Sequence, residues 1–161
     1  MARMNLDAFD RQILNLVQEN ASRTAEQLRE TVSLSISAIQ RRLRRLHEAG
    51  VIQRDIAVAD PALLGRPTLF VVALQIERER PELLAQLRRW LANEAQVQQA
   101  FYVTGEADFV LIVTAPDTPS YDELMTRMVK ENANIRRFTT NVALGIVKRG
   151  LAIPVSLDPA D

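Results

Sequence analysis

Residues 33–50 read SLSISAIQRRLRRLHEAG, and this stretch decides how the N-terminal part of the chain folds. An α-helix turns about 100° per residue, so one narrow sector of it collects the apolar positions. These positions are Ile36, Ile39, Leu43 and Leu46. The remaining surface of the predicted helix is rich in arginine. A helix with an aliphatic seam on one side and guanidinium groups elsewhere has the chemistry to lie against a polyanion such as DNA.

The exposed side of this helix supplies candidate DNA contacts. Guanidinium groups bind phosphates and base edges, while hydroxyl and amide groups bind base edges and small side chains leave room for close approach. The candidates are Ser35, Ser37, Ala38, Gln40, Arg41, Arg42, Arg44 and Arg45. Most charged helix faces simply meet solvent, and this helix alone does not separate the two interpretations.

The residues before position 33 favour the interpretation that this helix binds DNA. Apolar residues between Leu6 and Val17 recur at helical spacing, with Asp7 as the expected N-cap. A T-x-x-Q capping box at Thr24 and Gln27 opens a short second helix over 25–31. With Ser35 capping the arginine helix after a tight break, this order predicts a helix-turn-helix, in which the last helix enters the major groove.

Residues 51–67 predict the end of this domain. Gly50 is a helix-stopping residue, and the alternation in VIQRDIAVA (51–59) favours a strand, which would complete a winged variant. Two prolines and a glycine within 60–67 then indicate a boundary. We therefore divide the chain into a helix-turn-helix domain (1–52), a strand and linker (53–66) and a second domain (67–161).

The second domain alternates predicted strands with helices. Strands are expected over 67–77, 97–104, 108–115 and 135–147, the last with a bulge at Gly145. One helix opens with Pro81 at its first position, and the other with a capping box of Ser120 and Glu123. The order β-α-β-β-α-β predicts a ferredoxin-like sheet with both helices on one face. The fold class is thus α+β.

Both sides of the first predicted strand are apolar, although the helices cover only one side of such a sheet. The apolar residues at 70, 72, 74 and 76 alternate with others at 69, 71 and 73. A second copy of the chain is the simplest cover for the other side, and a homodimer would also place two recognition helices on neighbouring half-sites of DNA.

Composition excludes several classes of protein. The chain has 161 residues, no cysteine, and equal numbers of basic and acidic residues, 20 each. Without cysteine there is no disulfide, catalytic thiolate or zinc-thiolate site. With no overall net charge, the basic character is local, in residues 40–46 of the arginine helix, as expected if one element touches nucleic acid. The sequence has no apolar run of membrane-spanning length and no secretory signal, so we expect a cytoplasmic protein without a membrane partner.

Three motifs resemble, in order and spacing, the Lrp/AsnC family of leucine-responsive, or feast/famine, transcriptional regulators. They are LDAFDRQILNLVQEN (6–20), SLSISAIQRRLRRLHEAGVI (33–52) and VTGEADFVLIV (103–113). The resemblance covers nearly the whole chain. It implies an N-terminal helix-turn-helix and a C-terminal ligand-sensing domain that builds homodimers and commonly octamers. Small effectors, usually amino acids, would lie between dimers, and no other cofactor is expected.

The resemblance also implies an effector site around one turn and the last strand. The residues at the matching positions are Tyr102, Thr104, Gly105, Glu106, Ala107, Asp108, Thr139, Thr140 and Asn141. Backbone N–H groups near Gly105 would bind a carboxylate, Asp108 would accept from an ammonium group, and Tyr102 would form a wall. From the residues alone, a hairpin glycine with Asp108 stabilising the turn is the simpler interpretation.

The sequence therefore predicts a DNA-binding transcriptional regulator whose oligomeric state or DNA affinity responds to an effector. The competing class is an enzyme, because siroheme decarboxylases have a similar fold. Those enzymes are expected to use histidines, and His47 is the single histidine here. We find no nucleotide-binding loop, metal-ligand cluster or nucleophile with a base, and so expect no catalysis and no metal. An effector-binding module that no longer binds DNA remains a further alternative.

Overall fold

The computed structural model describes residues 4–65 and 67–157, which form two compact units. Unit 1 contains the chain up to Val58 together with the segment from Lys148 onward, and unit 2 contains Ala59–Val147. The sequence pattern predicts a single second domain over residues 67–161. In the structure, the described residues 148–157 instead group with the helix-turn-helix.

Unit 1 contains three helices: α1 (Ala8–Glu19), α2 (Ala25–Arg29) and α3 (Ile36–Glu48). The expected caps are confirmed: Asp7 caps α1, Thr24 and Gln27 form a reciprocal capping box, and Ser35 caps α3. Gly50 has a φ of 69°, the left-handed conformation that ends a helix. The core consists of Ile13, Leu14, Leu28, Val32, Ile39 and Leu46.

The strand expected over residues 51–59 was wrong for the single chain. Residues 53–60 form neither helix nor strand, and Ile56 and Val58 are 48% and 77% exposed. A strand requires a neighbour to satisfy its backbone N–H and C=O groups, and residue alternation does not say whether one is present.

Unit 2 begins with a short 3-10 helix, Pro61–Leu63, and continues as a four-stranded antiparallel sheet with two helices. The strands are β1 (Thr68–Ile76), β2 (Val97–Tyr102), β3 (Phe109–Ala115) and β4 (Ile135–Val142), arranged β2-β3-β1-β4. The helices are α4 (Pro81–Asn93) and α5 (Thr118–Glu131). This chain order confirms the ferredoxin-like prediction.

Two local predictions in unit 2 were wrong. Helix α5 begins earlier than expected, because Asp117 rather than Ser120 is its N-cap and accepts the Ser120 N–H at 2.8 Å. Strand β4 ends at Val142, and its irregularity lies near its start, where Gln75 and Ile76 pair with Arg137 and Ile135 and the pairing skips Arg136. The Ala143 N–H still donates to the Leu69 carbonyl of β1 at 2.9 Å, and the chain leaves β1 beyond it, so Gly145 is not a bulge within a ladder.

The two faces of the sheet differ in their environment. One face packs on the helices, and on it Phe70 stacks on the Tyr121 ring at a centroid distance of 3.9 Å. The other face carries the alternate residues of each strand, and no helix of unit 2 covers it among the described residues. We call this second surface the open face. None of the helices in the described ranges has the length and hydropathy needed to cross a membrane.

Candidate DNA interface and effector site

Four side chains project from one sector of α3 about 100° wide. They are Ser37, Gln40, Arg41 and Arg44, and all of them are exposed. None of the ion pairs among the described residues uses Arg41 or Arg44. The buried seam of the same helix, Ile39 and Leu46, lies in the core of unit 1. Two guanidinium groups are therefore presented to solvent beside a hydroxyl and an amide.

The other two arginines of the predicted DNA-binding set point toward α1. Arg42 Nη1 donates to Asp7 Oδ2 and to Asp10 Oδ1, each at 2.7 Å, and its side chain is 19% exposed. Arg45 Nη2 donates to Asp10 Oδ2 at 2.5 Å. The Asp10 side chain is fully buried. We call Asp7, Asp10, Arg42 and Arg45 the α1–α3 clamp.

The clamp also involves the N-terminus of α1. Asp7 Oδ1 accepts the Asp10 N–H at 2.9 Å, and Asp10 Oδ2 accepts the Asp7 N–H at 3.2 Å. Burial by itself would raise the pKa of Asp7, but the Asp10 N–H and the Arg42 guanidinium stabilise its charged form and hold the pKa below the ordinary value of 3.8. The two carboxylates therefore cap α1 and bind α3 at once.

The structure thus divides the predicted DNA-binding residues by position. Ser37, Gln40, Arg41 and Arg44 share the exposed sector, and the partly buried Ala38 flanks it. Arg42 lies in the clamp, whereas Arg45 is bound to Asp10 but remains 48% exposed. Ser35 is primarily a cap, since its Oγ accepts the Ala38 N–H at 3.3 Å. The two acidic residues at the start of α1 are visible in the sequence, but no local pattern pairs them with arginines 32 to 35 positions away.

In unit 2, the turn between β2 and β3 is closed by a hydrogen bond from the Val103 N–H to the Asp108 carbonyl at 2.9 Å. Thr104, Gly105 and Glu106 at its tip are exposed, with Gly105 at a φ of 125° that favours glycine. Asp108 is half-buried, and its Oδ2 accepts the Ile76 N–H at 2.8 Å. Asp108 thus stabilises the end of β1, which leaves at most its other oxygen, Oδ1, for a ligand.

The three candidates on β4 do not share a face. Thr139 and Asn141 pair with Ala73 and Val71 and are exposed on the open face. Thr140 points the other way, and its Oγ1 is 2.5 Å from the Tyr121 hydroxyl. Thr140 therefore anchors β4 to α5 and is not on the side of its two neighbours.

Tyr102 lies at the end of β2 on the helix-covered side, paired with Phe109. Its ring packs against the Phe109 ring at 5.0 Å, and the Arg88 guanidinium lies 4.9 Å from the ring centroid. Ala107 is partly buried behind the turn. The site implied by the resemblance is thus spread over both sides of the sheet.

Two residues beside the turn, Gln75 and Arg137, are not among the predicted effector-site residues. Gln75 Nε2 donates to the Glu106 carbonyl at 2.5 Å, so the open face of β1 meets the turn at this residue. Arg137 of β4 is the cross-strand partner of Gln75 and is exposed. None of the ion pairs in the described part of the chain involves Arg137. Strand alternation could have predicted Arg137 as part of the site, because alternate residues share a face of a strand and Arg137 alternates with Thr139 and Asn141.

The described side chains do not form a metal-binding cluster. Over residues 4–65 and 67–157, no group of His, Asp or Glu side chains is placed to hold a metal ion. The one histidine, His47, has its Nε2 3.9 Å from Asp55 Oδ2 on the surface of unit 1.

Comparison with known proteins identifies both units. Residues 6–53 match a family model described as winged helix-turn-helix DNA-binding, and residues 69–153 match the Lrp/AsnC ligand binding domain. An HTH-type transcriptional regulator of Sinorhizobium fredii is 41% identical over 154 residues, which are 96% of this chain and 91% of that protein.

Solved structures share the fold. An AsnC family transcriptional regulator from Agrobacterium tumefaciens superposes with a TM-score of 0.85 at 27% identity, over 92% of this chain and 97% of that one. A transcriptional regulator from Neisseria meningitidis, solved as its L-Met complex, also gives 0.85, at 24% identity over 93% and 97% of the two chains. Together with the exposed arginines of a helix-turn-helix and the ferredoxin-like unit 2, these matches show that the chain belongs to the Lrp/AsnC family of transcriptional regulators and is not an enzyme.

Proposed function

We propose that this regulator reads duplex DNA with the exposed sector of α3, and that an α-amino acid bound beside the turn of unit 2 controls this binding. The observation that supports the first part is the division of the α3 arginines. Arg41 and Arg44 are exposed beside Ser37 and Gln40, whereas Arg42 is held by two carboxylates. Exposed arginines that take part in no ion pair among the described residues suit phosphates and guanine edges, and the hydroxyl and amide suit base edges.

Selection of duplexes from a random-sequence library tests DNA reading. The wild-type chain should enrich a motif with two related half-sites about one helical turn apart. The double variant Arg41→Ala/Arg44→Ala should lose that motif, while Gln53→Ala, an exposed polar residue off α3, should retain it. Failure of the wild type to enrich any motif, or enrichment of the same motif by the double variant, would contradict the proposal.

The proposed effector is an α-amino acid, because the turn offers complementary groups for both of its charges. Asp108 Oδ1 can accept from the ammonium group, and the exposed Arg137 is the cross-strand partner of Gln75, which itself contacts the turn. Guanidinium binds carboxylate through two parallel hydrogen bonds. Thr104, Gly105 and the open-face side chains of Thr139 and Asn141 would complete the polar lining. The related Neisseria protein was solved with L-Met, which makes L-methionine the first probe.

A thermal-unfolding screen of the common amino acids tests the effector. A ligand present at about 100 times its Kd should stabilise the folded chain by about 2.7 kcal/mol. L-Methionine is compared with its amine and with its deaminated acid, each of which lacks one of the two charged groups. If neither charged group matters for binding, the assignment of Asp108 and Arg137 is wrong. If no amino acid shifts the transition, the effector belongs to another class.

We further propose that the chain acts as a homodimer formed through the open face and assembled into octamers. The supporting observation is the apolar centre of that face, which comprises Val71, Ala73, Phe101, Val110 and Ile112, with Phe101 49% exposed. A patch of this kind in contact with water is unfavourable, and a second copy is a symmetric cover for it. Ile112→Asp should convert the assembly to monomers in sedimentation, while Gln98→Asp, off that centre, should not.

Because the proposed target is chromosomal DNA, we place the regulator in the cytoplasm. The proposed chemistry needs no cofactor other than the effector. Extensive dialysis against a chelator should therefore leave DNA binding unchanged, and a loss of binding that added metal restores would contradict this.

A further inference from the structure

The C-terminal segment 153–156 lies along one face of α1. Gln18 makes two hydrogen bonds to Ile153: its Nε2 donates to the carbonyl at 2.9 Å, and its Oε1 accepts the N–H at 2.7 Å. Asn15 does the same with Val155, at 2.8 and 3.1 Å. Arg11 Nη1 donates to the Ser156 carbonyl at 3.0 Å. We call residues 153–156 the strap.

The side-chain amides of α1 pair with the backbone of the strap in the way that a neighbouring β-strand would. A side-chain amide carries one acceptor and a donor group, as does a peptide unit. Arg11, Asn15 and Gln18 have the i, i+4, i+7 spacing that places side chains on one helix face. From Arg11 to Gln18 a helix rises about 10.5 Å, and the three residue steps from Ile153 to Ser156 span about 10 Å when extended. The two elements therefore match in length.

The strap sequence favours this conformation before it docks. Pro154 restricts the preceding residue, Ile153, to the extended region of backbone space. Pro154 has no N–H to donate. The residues on either side of it, Ile153 and Val155, each bond side chains of α1 through both their N–H and their carbonyl group. Val155 in addition packs against the core of unit 1. The segment is thus anchored by apolar contact as well as by hydrogen bonds.

The position of the strap connects it with the two functional regions. At its N-terminal end α1 holds α3 through the clamp, and along its length it holds the strap. The strap in turn follows β4, which ends at Val142 and carries effector candidates. Residues 154–157 lie beyond both matched family ranges, which end at 53 and 153.

We infer that α1 carries a docking surface for an extended peptide, that its occupant is the chain's own strap, and that the docked strap positions α1 and hence α3 for DNA. Release of the strap then lowers DNA affinity without removing any DNA contact. The inference rests on the proposed function only for its DNA readout. If docking is needed for a competent α3, the apparent Kd rises in inverse proportion to the docked fraction.

Hydrogen exchange on the full chain measures docking without DNA. In the wild type, the amides of Ile153 and Val155 should be protected. In Asn15→Ala/Gln18→Ala they should exchange at least about ten times faster, as their acceptors are gone. Alanine favours helix more than asparagine or glutamine, so α1 itself should not weaken. Wild-type amides at 153 and 155 that exchange as in an unfolded peptide would overturn the inference.

DNA affinity on a selected duplex measures the consequence. We expect the double variant and Val155→Asp, which removes the contact of the strap with the core of unit 1, each to raise the Kd about tenfold, as for a docked fraction near one tenth. Gln53→Ala is the matched control and should leave both readouts unchanged. Increased exchange with unchanged Kd would overturn the positioning role. If the wild type selects no duplex, the proposed function fails, while the exchange data still decide whether the strap docks.

Discussion

Helix α3 carries two pairs of arginines that differ in environment although all four lie within little more than one turn of the helix. Arg41 and Arg44 are exposed, whereas Arg42 and Arg45 donate to the fully buried Asp10. When a carboxylate of the same chain binds an arginine, it balances the charge of the guanidinium group and occupies N–H donors that could otherwise bind DNA. The comparison teaches that a cluster of arginines on a recognition helix serves two purposes, and that neighbours on other helices decide which residue serves which.

The largest expected effect comes from removing the centre of the clamp. Asp10→Ala deletes the buried carboxylate that binds Arg42 and Arg45, along with a hydrogen-bond partner at the start of α1. Removal of one partner from a buried ion pair costs about 3 kcal/mol of stability. Urea unfolding followed by circular dichroism should show this decrease, and Asp55→Ala, on an exposed carboxylate, should change stability by less than about 0.5 kcal/mol. Equal stability of the two variants would remove the distinction between the arginine pairs.

The next effect separates the pairs directly. Arg44→Ala should weaken DNA binding by about 1 to 3 kcal/mol if it reads a base. If it instead neutralises one phosphate, the log–log slope of affinity against salt should flatten by about 0.9. Its unfolding free energy should stay nearly constant. Arg42→Ala should do the reverse, with a less stable unit 1 and an unchanged salt slope. Titrations of both variants against one duplex over a range of salt concentrations, together with urea unfolding, make the comparison. Equal DNA affinities and equal unfolding free energies for the two variants would contradict it.

Features of the fold that depend on residues close in sequence were predictable. The Asp7, Thr24 and Ser35 caps each bond a residue three positions away, so the sequence displays donor and acceptor together. The buried α3 seam follows from a fixed helical period. The strands of unit 2 alternate strongly enough to give the chain order and hence the ferredoxin-like fold.

Features that depend on distant residues were not predictable from such patterns. The clamp joins residues 32 to 35 positions apart, and the strap contacts α1 across 135 to 145 positions. Residues 51–59 alternate as a strand but have no pairing partner in one chain. At α5, Asp117 and Ser120 are both good caps, and local rules do not rank them. In the proposed effector site, the register that pairs Arg137 with Gln75 is set by the whole sheet.

Unit 2 contains a similar pair of arginines, one bound by a carboxylate and one exposed. We expect substitutions there to have a smaller effect, on ligand affinity. Arg127 Nη2 lies 2.8 Å from Glu94 Oε2, whereas Arg137 is exposed on the open face beside Gln75. We expect Arg137→Ala to weaken L-methionine binding about tenfold, which corresponds to one charge-assisted hydrogen bond of about 1.4 kcal/mol. Arg127→Ala should leave the affinity unchanged. Calorimetric titration of both variants checks this, and an equal decrease in both would show that general charge, rather than position, governs binding.

The smallest effect concerns the exposed end of the clamp and appears only in acid. The hydrogen bonds from Asp10 N–H and Arg42 outweigh burial and hold the pKa of Asp7 below 3.8 in the folded chain. A carboxyl group whose pKa is lower in the folded chain than in the unfolded chain stabilises the fold. This contribution is fully present at pH values above the pKa of the unfolded chain, and it is lost as the pH falls through the pKa of the folded chain. The stability difference between wild type and Asp7→Asn should therefore be constant from neutral pH down to about 5 and shrink below 3.8. Urea unfolding at a series of pH values measures it. Because Arg42 stays charged throughout, a difference that persisted to the lowest pH would mean that Asp7 acts as a neutral cap of α1 and that Asp10 alone holds the inner arginines.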